Sequence, residues 1–394
     1  MIDRIAERTR LQASIGHNQV TAILGARQIG KSTLAKTLGA THYFDLENPR
    51  DLARLEQAQL TLEGLDGLVV IDEIQRKPDL FPLLRFLCDE KPERRYLILG
   101  SAGRDLIRQS SETLAGRIAY FELRGFALDE VCRGAGDVAT LWSRGGFPRS
   151  WLAEDDVASL EWREQFIQTF LERDIPQLGI RVPSATMFRF WTMLSHYHGQ
   201  LLNYKELSRS FGVSDMTVRH YLEILEGTFM VRLLRPWHEN LGKRLVKAPK
   251  LYLRDSGLFH ALQGIRDAAA LAAHPKLGAS WEGFVLEELV GASRLRSEAF
   301  SFYRTQTGAE VDLIWSSGGR RFGAEIKYAD APRMTPSMRN AMADCGLDAL
   351  FVVYPGEVGY PLGQNIQVVP ASGMRAIFDG TAGSPRPVSP ASAP

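Results

Sequence analysis

The chain has 394 residues, 45% of them hydrophobic and 24% charged, with 47 Lys and Arg against 46 Asp and Glu. That composition excludes a disordered or fibrous protein and allows two or three cores of ordinary size; a net charge of +1 excludes a molecule that is basic all over. No run approaches the roughly 18 apolar residues that span a bilayer, the first eight residues hold no apolar signal core, and three scattered cysteines, Cys88, Cys132 and Cys345, fit a reducing cytoplasm.

Ile2 to Gly16 reads as an amphipathic helix, and Val20-Thr-Ala-Ile-Leu24 as a buried strand that runs into a Gly-rich loop and a helix from Lys31. Leu68-Val-Val-Ile71 and Tyr96-Leu-Ile-Leu99 are two further apolar runs with helical pattern between them. Short runs of this kind suit parallel strands buried on both faces, with chemistry at their C-terminal ends. Residues 1–127 are therefore expected to form an α/β layer, a parallel sheet with helices on both faces. Residues 128–185 turn helical, interrupted at Gly145-Gly-Phe-Pro148, and read as a lid or connector. In 186–255, Tyr204 to Gly212 and Met216 to Leu225 flank a turn at Val213-Ser-Asp215, and β-like segments follow at Phe229–Leu234 and Lys250–Leu253. That order predicts a winged helix. Residues 256–380 begin a third unit, with a helix over Trp281–Val290 and strands near Phe302, Val311, Ala324 and Phe351. The Pro, Ser and Ala-rich stretch 381–394 is expected to be a disordered tail.

Gly25-Ala26-Arg27-Gln28-Ile29-Gly30-Lys31-Ser32 matches the phosphate-loop pattern in full, after a strand and before a helix, with Thr33 completing the turn. Glycines let backbone N–H groups wrap phosphates, Lys31 reaches the β- and γ-phosphates, and Ser32 ligates Mg²⁺. ATP with Mg²⁺ is the expected cofactor pair. Leu68-Val-Val-Ile-Asp72-Glu73 delivers two carboxylates to a strand end: Asp72 to hold the Mg²⁺, Glu73 to orient or deprotonate the attacking water. Ser101, after the strand ending at Leu99, reads either as a γ-phosphate sensor or as a helix cap. Arg117, in Leu114-Ala-Gly-Arg-Ile118, reads either as an arginine finger or as an ordinary solvated arginine. A finger acting in trans requires a homo-oligomer.

Leu24 to Ser32, Ile71-Asp-Glu-Ile-Gln75 and Leu114-Ala-Gly-Arg117 resemble a bacterial and archaeal family of AAA+-type ATPases with a C-terminal domain of uncharacterised function. Phe170-Leu-Glu-Arg-Asp-Ile175, Leu253-Arg-Asp-Ser-Gly-Leu258, Trp281 to Leu289 and Glu310-Val-Asp-Leu-Ile314 extend the resemblance over nearly the whole chain except the tail. It implies an ATPase core, a winged helix and a C-terminal α/β domain similar to the restriction-endonuclease fold. Gly100-Ser-Ala-Gly103 departs from the run of Ser or Thr more usual in that family, which bears on Ser101.

Between Leu201 and Arg254 ten basic residues face five acids, a local net charge of +5. Thr217, Arg219 and His220 fall early on the second helix of the pair, and Lys243, Arg244 and Lys247 on the wing, where they would contact DNA. A winged helix used for protein contact is the alternative. In the third unit Asp312 is followed by Glu325-Ile-Lys327, and strand alternation puts Glu325 and Lys327 on one face. In nucleases of the restriction-endonuclease type, such acids bind Mg²⁺ and the lysine positions water; Glu282 is a further candidate ligand, and a solvated ion pair is the plainer alternative.

Three functions remain open from the sequence. They are an ATPase that couples nucleotide state to DNA binding or remodelling, an ATP-regulated nuclease of a defence or toxin-like system, and an ATP-dependent signalling switch that uses the winged helix for protein contact.

Overall fold

The computed structural model describes residues 2–100, 110, 113–132, 134–237, 245–306 and 308–379. The chain divides into two units, Met1–Gly125 with Glu223–Met230, and Phe126–Leu222 with Val231–Pro394.

The first unit is built on five parallel strands, β1 (Val20–Leu24), β2 (His42–Asp45), β3 (Leu68–Asp72), β4 (Arg95–Gly100) and β5 (Ile118–Glu122), in the order β2-β3-β4-β1-β5. Helices flank the sheet, as in an α/β fold. Every residue of β1 is buried, and so is every residue of β3 after Leu68 and of β4 after Arg95, because helices cover a parallel sheet on both sides. Leu80, Phe81, Leu84 and Leu87 form one stripe of the helix Leu80–Glu90 and pack in the core with Val69, Ile71, Tyr96 and Ile98. The helix Pro49–Arg54 starts on Asn48, whose side chain accepts from the Arg50 N–H, with proline at the first helical position. Parallel register places Leu24 beside Gly100 and Asp45 beside Asp72, so the C-terminal strand ends share one edge. The chain leaves β1 into the glycine-rich loop there, and leaves β3 at Asp72.

The second unit opens with helices, among them Ala135–Arg144, Asp156–Thr169 and Ser184–His196; the second continues through a π-type turn over Phe170–Asp174. Next come β6 (Gln200–Leu201), the helices Tyr204–Phe211 and Asp215–Gly227, the second of which belongs to the first unit from Glu223 on, then β7 (Val231–Pro236) and β8 (Lys250–Leu253). β8 pairs antiparallel with both β6 and β7. The first of the two helices ends at Gly212 in the left-handed conformation, φ 69°, and the second starts with the Thr217 N–H donating to Ser214 Oγ at 3.1 Å.

β9 (Ser301–Arg304), β10 (Glu310–Ser317), β11 (Arg320–Ile326), β12 (Ala349–Tyr354), β13 (Tyr360–Gly363) and β14 (Ile366–Pro370) follow, with the helix Leu277–Ala292 before them. β7 pairs in parallel with β9 through Arg235 opposite Ser301 and Pro236 opposite Phe302. The ladder after the helix pair and the C-terminal strands thus form one mixed sheet of nine strands, β13-β14-β12-β11-β10-β9-β7-β8-β6.

The helix Leu277–Ala292 is buried almost all round. At Gly283 an added Cβ would stand 2.2 Å from His198 Nε2. His198 Nδ1 accepts from the Leu253 N–H at 3.0 Å and its ring stacks on Phe259, while His260 bonds the Ser143 carbonyl and the Ser280 hydroxyl. Burial pushes both imidazoles down to about 3. The unfolded chain therefore takes up protons below the ordinary histidine range of about 6.5 that the folded chain refuses. Their contribution to stability is fully present above that pH and is lost as pH falls towards 3, with a slope of up to about 1.4 kcal/mol per pH unit for each. Denaturant midpoints measured from pH 7 to pH 4 are expected to fall less steeply in His260→Gln than in the wild type; parallel curves would show that His260 titrates normally.

Candidate functional site

The loop between β1 and Lys31 has the backbone that its glycines permit. Gly25 has φ 156°, and a Cβ there would meet the Leu123 carbonyl oxygen at 2.5 Å; Gly30 has φ 101°. Gln28 takes a positive φ of 62° without being glycine, strain of the kind that gathers at ligand clamps. Ala26 and Ile29 are buried, Arg27 reaches Glu47 at 3.3 Å, and Thr33 is exposed on the helix that starts at Lys31. Lys31 is 5% exposed, and its Nζ donates to the carbonyls of Gly25 and Ala26, both at 2.9 Å.

Asp72 is buried at the end of β3. One of its oxygens accepts from the Glu73 N–H at 3.0 Å and the other from the Tyr43 hydroxyl at 2.5 Å. Burial, then the bond to Asp72, raises the Tyr43 phenol far above its usual range, and the neighbouring Ser32 opposes the rise. The Tyr43 hydroxyl on β2 thus bonds Asp72, with Ser32 close enough to act on the same phenol. Glu73 sits in the left-handed region, φ 54°, and receives a hydrogen bond from the Gln75 side-chain amide. Tyr43 was not among the residues singled out from the sequence.

Arg117 lies elsewhere. The Val20 N–H donates to its carbonyl, which puts it level with the start of β1, about 13 Å from the loop end at ~3.3 Å per residue. Its guanidinium pairs with Asp89 at 2.6 Å. Within one chain the structure does not bring Arg117 to the phosphate loop. Ser101 lies outside the described residues.

The families that match are an AAA domain over residues 17–132 and two domains of unknown function, DUF8612 over 135–269 and DUF4143 over 277–374. An uncharacterised protein of Mycobacterium tuberculosis and one of Mycobacterium bovis are each 48% identical to this chain over 375 residues, covering 94% of it and 84% of their own length. The chain belongs to their family. A solved Walker-type ATPase of Pyrococcus abyssi is similar at 16% identity with a TM-score of 0.48, over 67% of this chain and 96% of that one. For this family member, the AAA match over the unit that holds the loop supports ATP binding and hydrolysis. Among the described residues no helix is long and apolar enough to cross a membrane.

In the second unit the residues singled out from the sequence do converge, and others join them. Lys327 Nζ is 2.7 Å from Glu325, and the Ile326 N–H donates to Asp312 at 2.9 Å. Glu282 accepts from the Tyr252 hydroxyl at 2.5 Å and from Lys250 Nζ at 3.0 Å. Lys250, one of the ten basic residues of 201–254, is 2% exposed; its Nζ also lies 2.7 Å from Glu310 and 3.2 Å from Asp312. Burial and then the Asp312 charge raise Glu282 to about 7 and Glu325 to about 8. For Lys250 burial favours the neutral form, but Tyr252, Asp312, Glu282 and Glu310 outweigh it and hold the ammonium well above its usual value. Among the described residues no three His, Cys, Asp or Glu side chains are set to hold a metal ion.

The charge count over 201–254 needs the same correction at two further places. Arg232 is buried and forks onto Glu287, and Arg254 reaches Glu287 at 3.2 Å. Three of the ten basic residues are therefore spent inside the unit. Lys205, Arg209, Arg219, His220, Arg235 and Lys247 are exposed. Arg219 lies over the Tyr204 ring at 4.0 Å, and the Thr217 hydroxyl is engaged with Ser214 at 2.9 Å. Lys243 and Arg244 lie outside the described residues.

Proposed function

We propose that the chain is a cytoplasmic, Mg²⁺-dependent ATPase whose nucleotide state is coupled to DNA binding or remodelling. The observation that carries the reading is the loop itself: Gly25 and Gly30 take positive-φ backbone, Ser32 stands at the loop's end, and the buried Asp72 at the end of β3 is held by Tyr43. Hydroxyl and carboxylate oxygens so placed suit a hard cation that keeps several of its waters, so the donor set fits Mg²⁺ with ATP. Mg²⁺ would neutralise charge between the β- and γ-phosphates. The loop N–H groups and Lys31 then bind the phosphates, and Glu73 holds and deprotonates the attacking water. Arg117 serves as a finger only towards the site of a second copy, which makes a homo-oligomer part of the proposal.

For DNA, the order helix, strand, two helices and a two-stranded ladder supports a winged helix over 186–255, and the exposed Arg219, His220 and Lys247 would meet phosphates. The internal use of Arg232, Lys250 and Arg254 reduces that charge and favours, as second reading, a switch that contacts protein through the same helices. ATP hydrolysis measured with single-stranded, duplex and branched DNA separates the two. Turnover is expected to rise several-fold with one DNA form, and Arg219→Ala to weaken that DNA by about tenfold. No binding and no change in rate with any form would leave the protein-contact switch.

A further inference from the structure

The sequence suggests a divalent-metal site at Asp312 and Glu325, with Glu282 as a further candidate ligand, and the side chains there do not fit one. Three carboxylates, Glu282, Glu310 and Asp312, surround Lys250 Nζ at 3.0, 2.7 and 3.2 Å. A lysine ammonium has three N–H bonds to give, and each finds an acceptor. Lys250 Nζ lies over the Phe302 ring, 5.6 Å from its centroid, and the side chain is 2% exposed. Magnesium requires oxygens at about 2.0–2.1 Å in an octahedron, and it cannot share those oxygens with an ammonium that already fills their centre. The second cation, Lys327, holds Glu325, and Arg304 stands 3.6 Å from Glu310. Among the described residues the buried Glu325 Oε2 has no hydrogen-bond partner, so the cluster keeps one oxygen with which to take up another cation once the centre is vacated.

We infer that Lys250 is the resident cation of this carboxylate cluster and excludes divalent metal from it, and that loss of Lys250 from the centre converts the cluster into a divalent-cation site. The contact is a built-in lock, because its key lies on β8 and its acids lie on β10, β11 and the helix Leu277–Ala292. β8 closes the ladder that follows Lys247, on the segment proposed above to meet DNA. A contact that displaces β8 therefore also withdraws the ammonium. The inference does not depend on the ATP site or on its reading.

The test is a calorimetric titration of the full-length, nucleotide-free chain with Mn²⁺ alone, in the wild type, in Lys250→Met and in Lys250→Met/Asp312→Asn. The wild type is expected to show no saturable Mn²⁺ binding. Lys250→Met is expected to bind one Mn²⁺ at least tenfold more tightly than any residual wild-type binding, and the double variant to lose it. If Lys250→Met does not fold, Lys250→Met/Glu310→Gln restores the charge balance and takes its place. Saturable Mn²⁺ binding by the wild type that Asp312→Asn abolishes would overturn the inference, as would a folded Lys250 variant that takes up no Mn²⁺.

Discussion

Glu73→Gln is expected to lower ATP turnover by about 10²- to 10⁴-fold, the range typical of a lost general base, while nucleotide affinity changes by less than about twofold. The side chain keeps its shape in this substitution and loses the charge that orients and deprotonates water. Its backbone carries part of the argument. Glu73 holds φ 54°, where a side chain other than glycine costs of order 1–3 kcal/mol, and it does so one residue after a buried aspartate that its own N–H helps to orient. The Gln75 amide fixes the carboxylate from the other side. Strain held at such a position suits the chemical task proposed for it. Single-turnover hydrolysis and fluorescent-nucleotide binding read the two quantities separately. If affinity and turnover fall together, Glu73 shapes the pocket and another group prepares the water.

What the sequence disclosed depended on how local each signal was. The phosphate loop was legible because its chemistry resides in eight consecutive residues, and β1, β3 and β4 because strands buried on both faces read as unbroken apolar runs. β2 was hidden by its length of four residues, and β5 because it lies at the sheet edge, where Phe121 is the buried member of Ile118–Glu122. β13 escaped for a similar reason, as Tyr360–Gly363 has no buried residue, whereas β14 was missed although four of its five residues are buried. In the second unit Glu282, Asp312, Glu325 and Lys327 were found by their spacing and by the resemblance. Lys250 was misplaced because its partners are distant in the chain, 32 residues on at Glu282 and 62 at Asp312. Alternation in Lys250-Leu-Tyr-Leu253 put Lys250 and Tyr252 on one face, but that pattern fits a wing in solvent as well as a strand over a carboxylate cluster. Tyr43 gave no signal, since a tyrosine on a short strand is ordinarily a packing residue.

Lys31→Ala is expected to remove ATP turnover and to weaken ATP binding by at least about tenfold, from charge-assisted hydrogen bonds worth ~1.5–3 kcal/mol each. Lys31 bonds the carbonyls of Gly25 and Ala26, so its ammonium is held by the loop whose amides face the phosphates. Its truncation removes the charge for the phosphates and also leaves two carbonyls of the loop without this donor. Lys31→Arg is expected to be nearly as damaging, because a planar guanidinium cannot stand for a compact ammonium in so enclosed a place. Isothermal titration with a slowly hydrolysed ATP analogue, beside the turnover assay, distinguishes Lys31 from Glu73: one substitution reduces both binding and rate, the other the rate alone. Equal affinity for the analogue in Lys31→Ala and wild type would mean that the loop binds phosphate through its backbone only, and the assignment of Lys31 to the β- and γ-phosphates would have to be withdrawn.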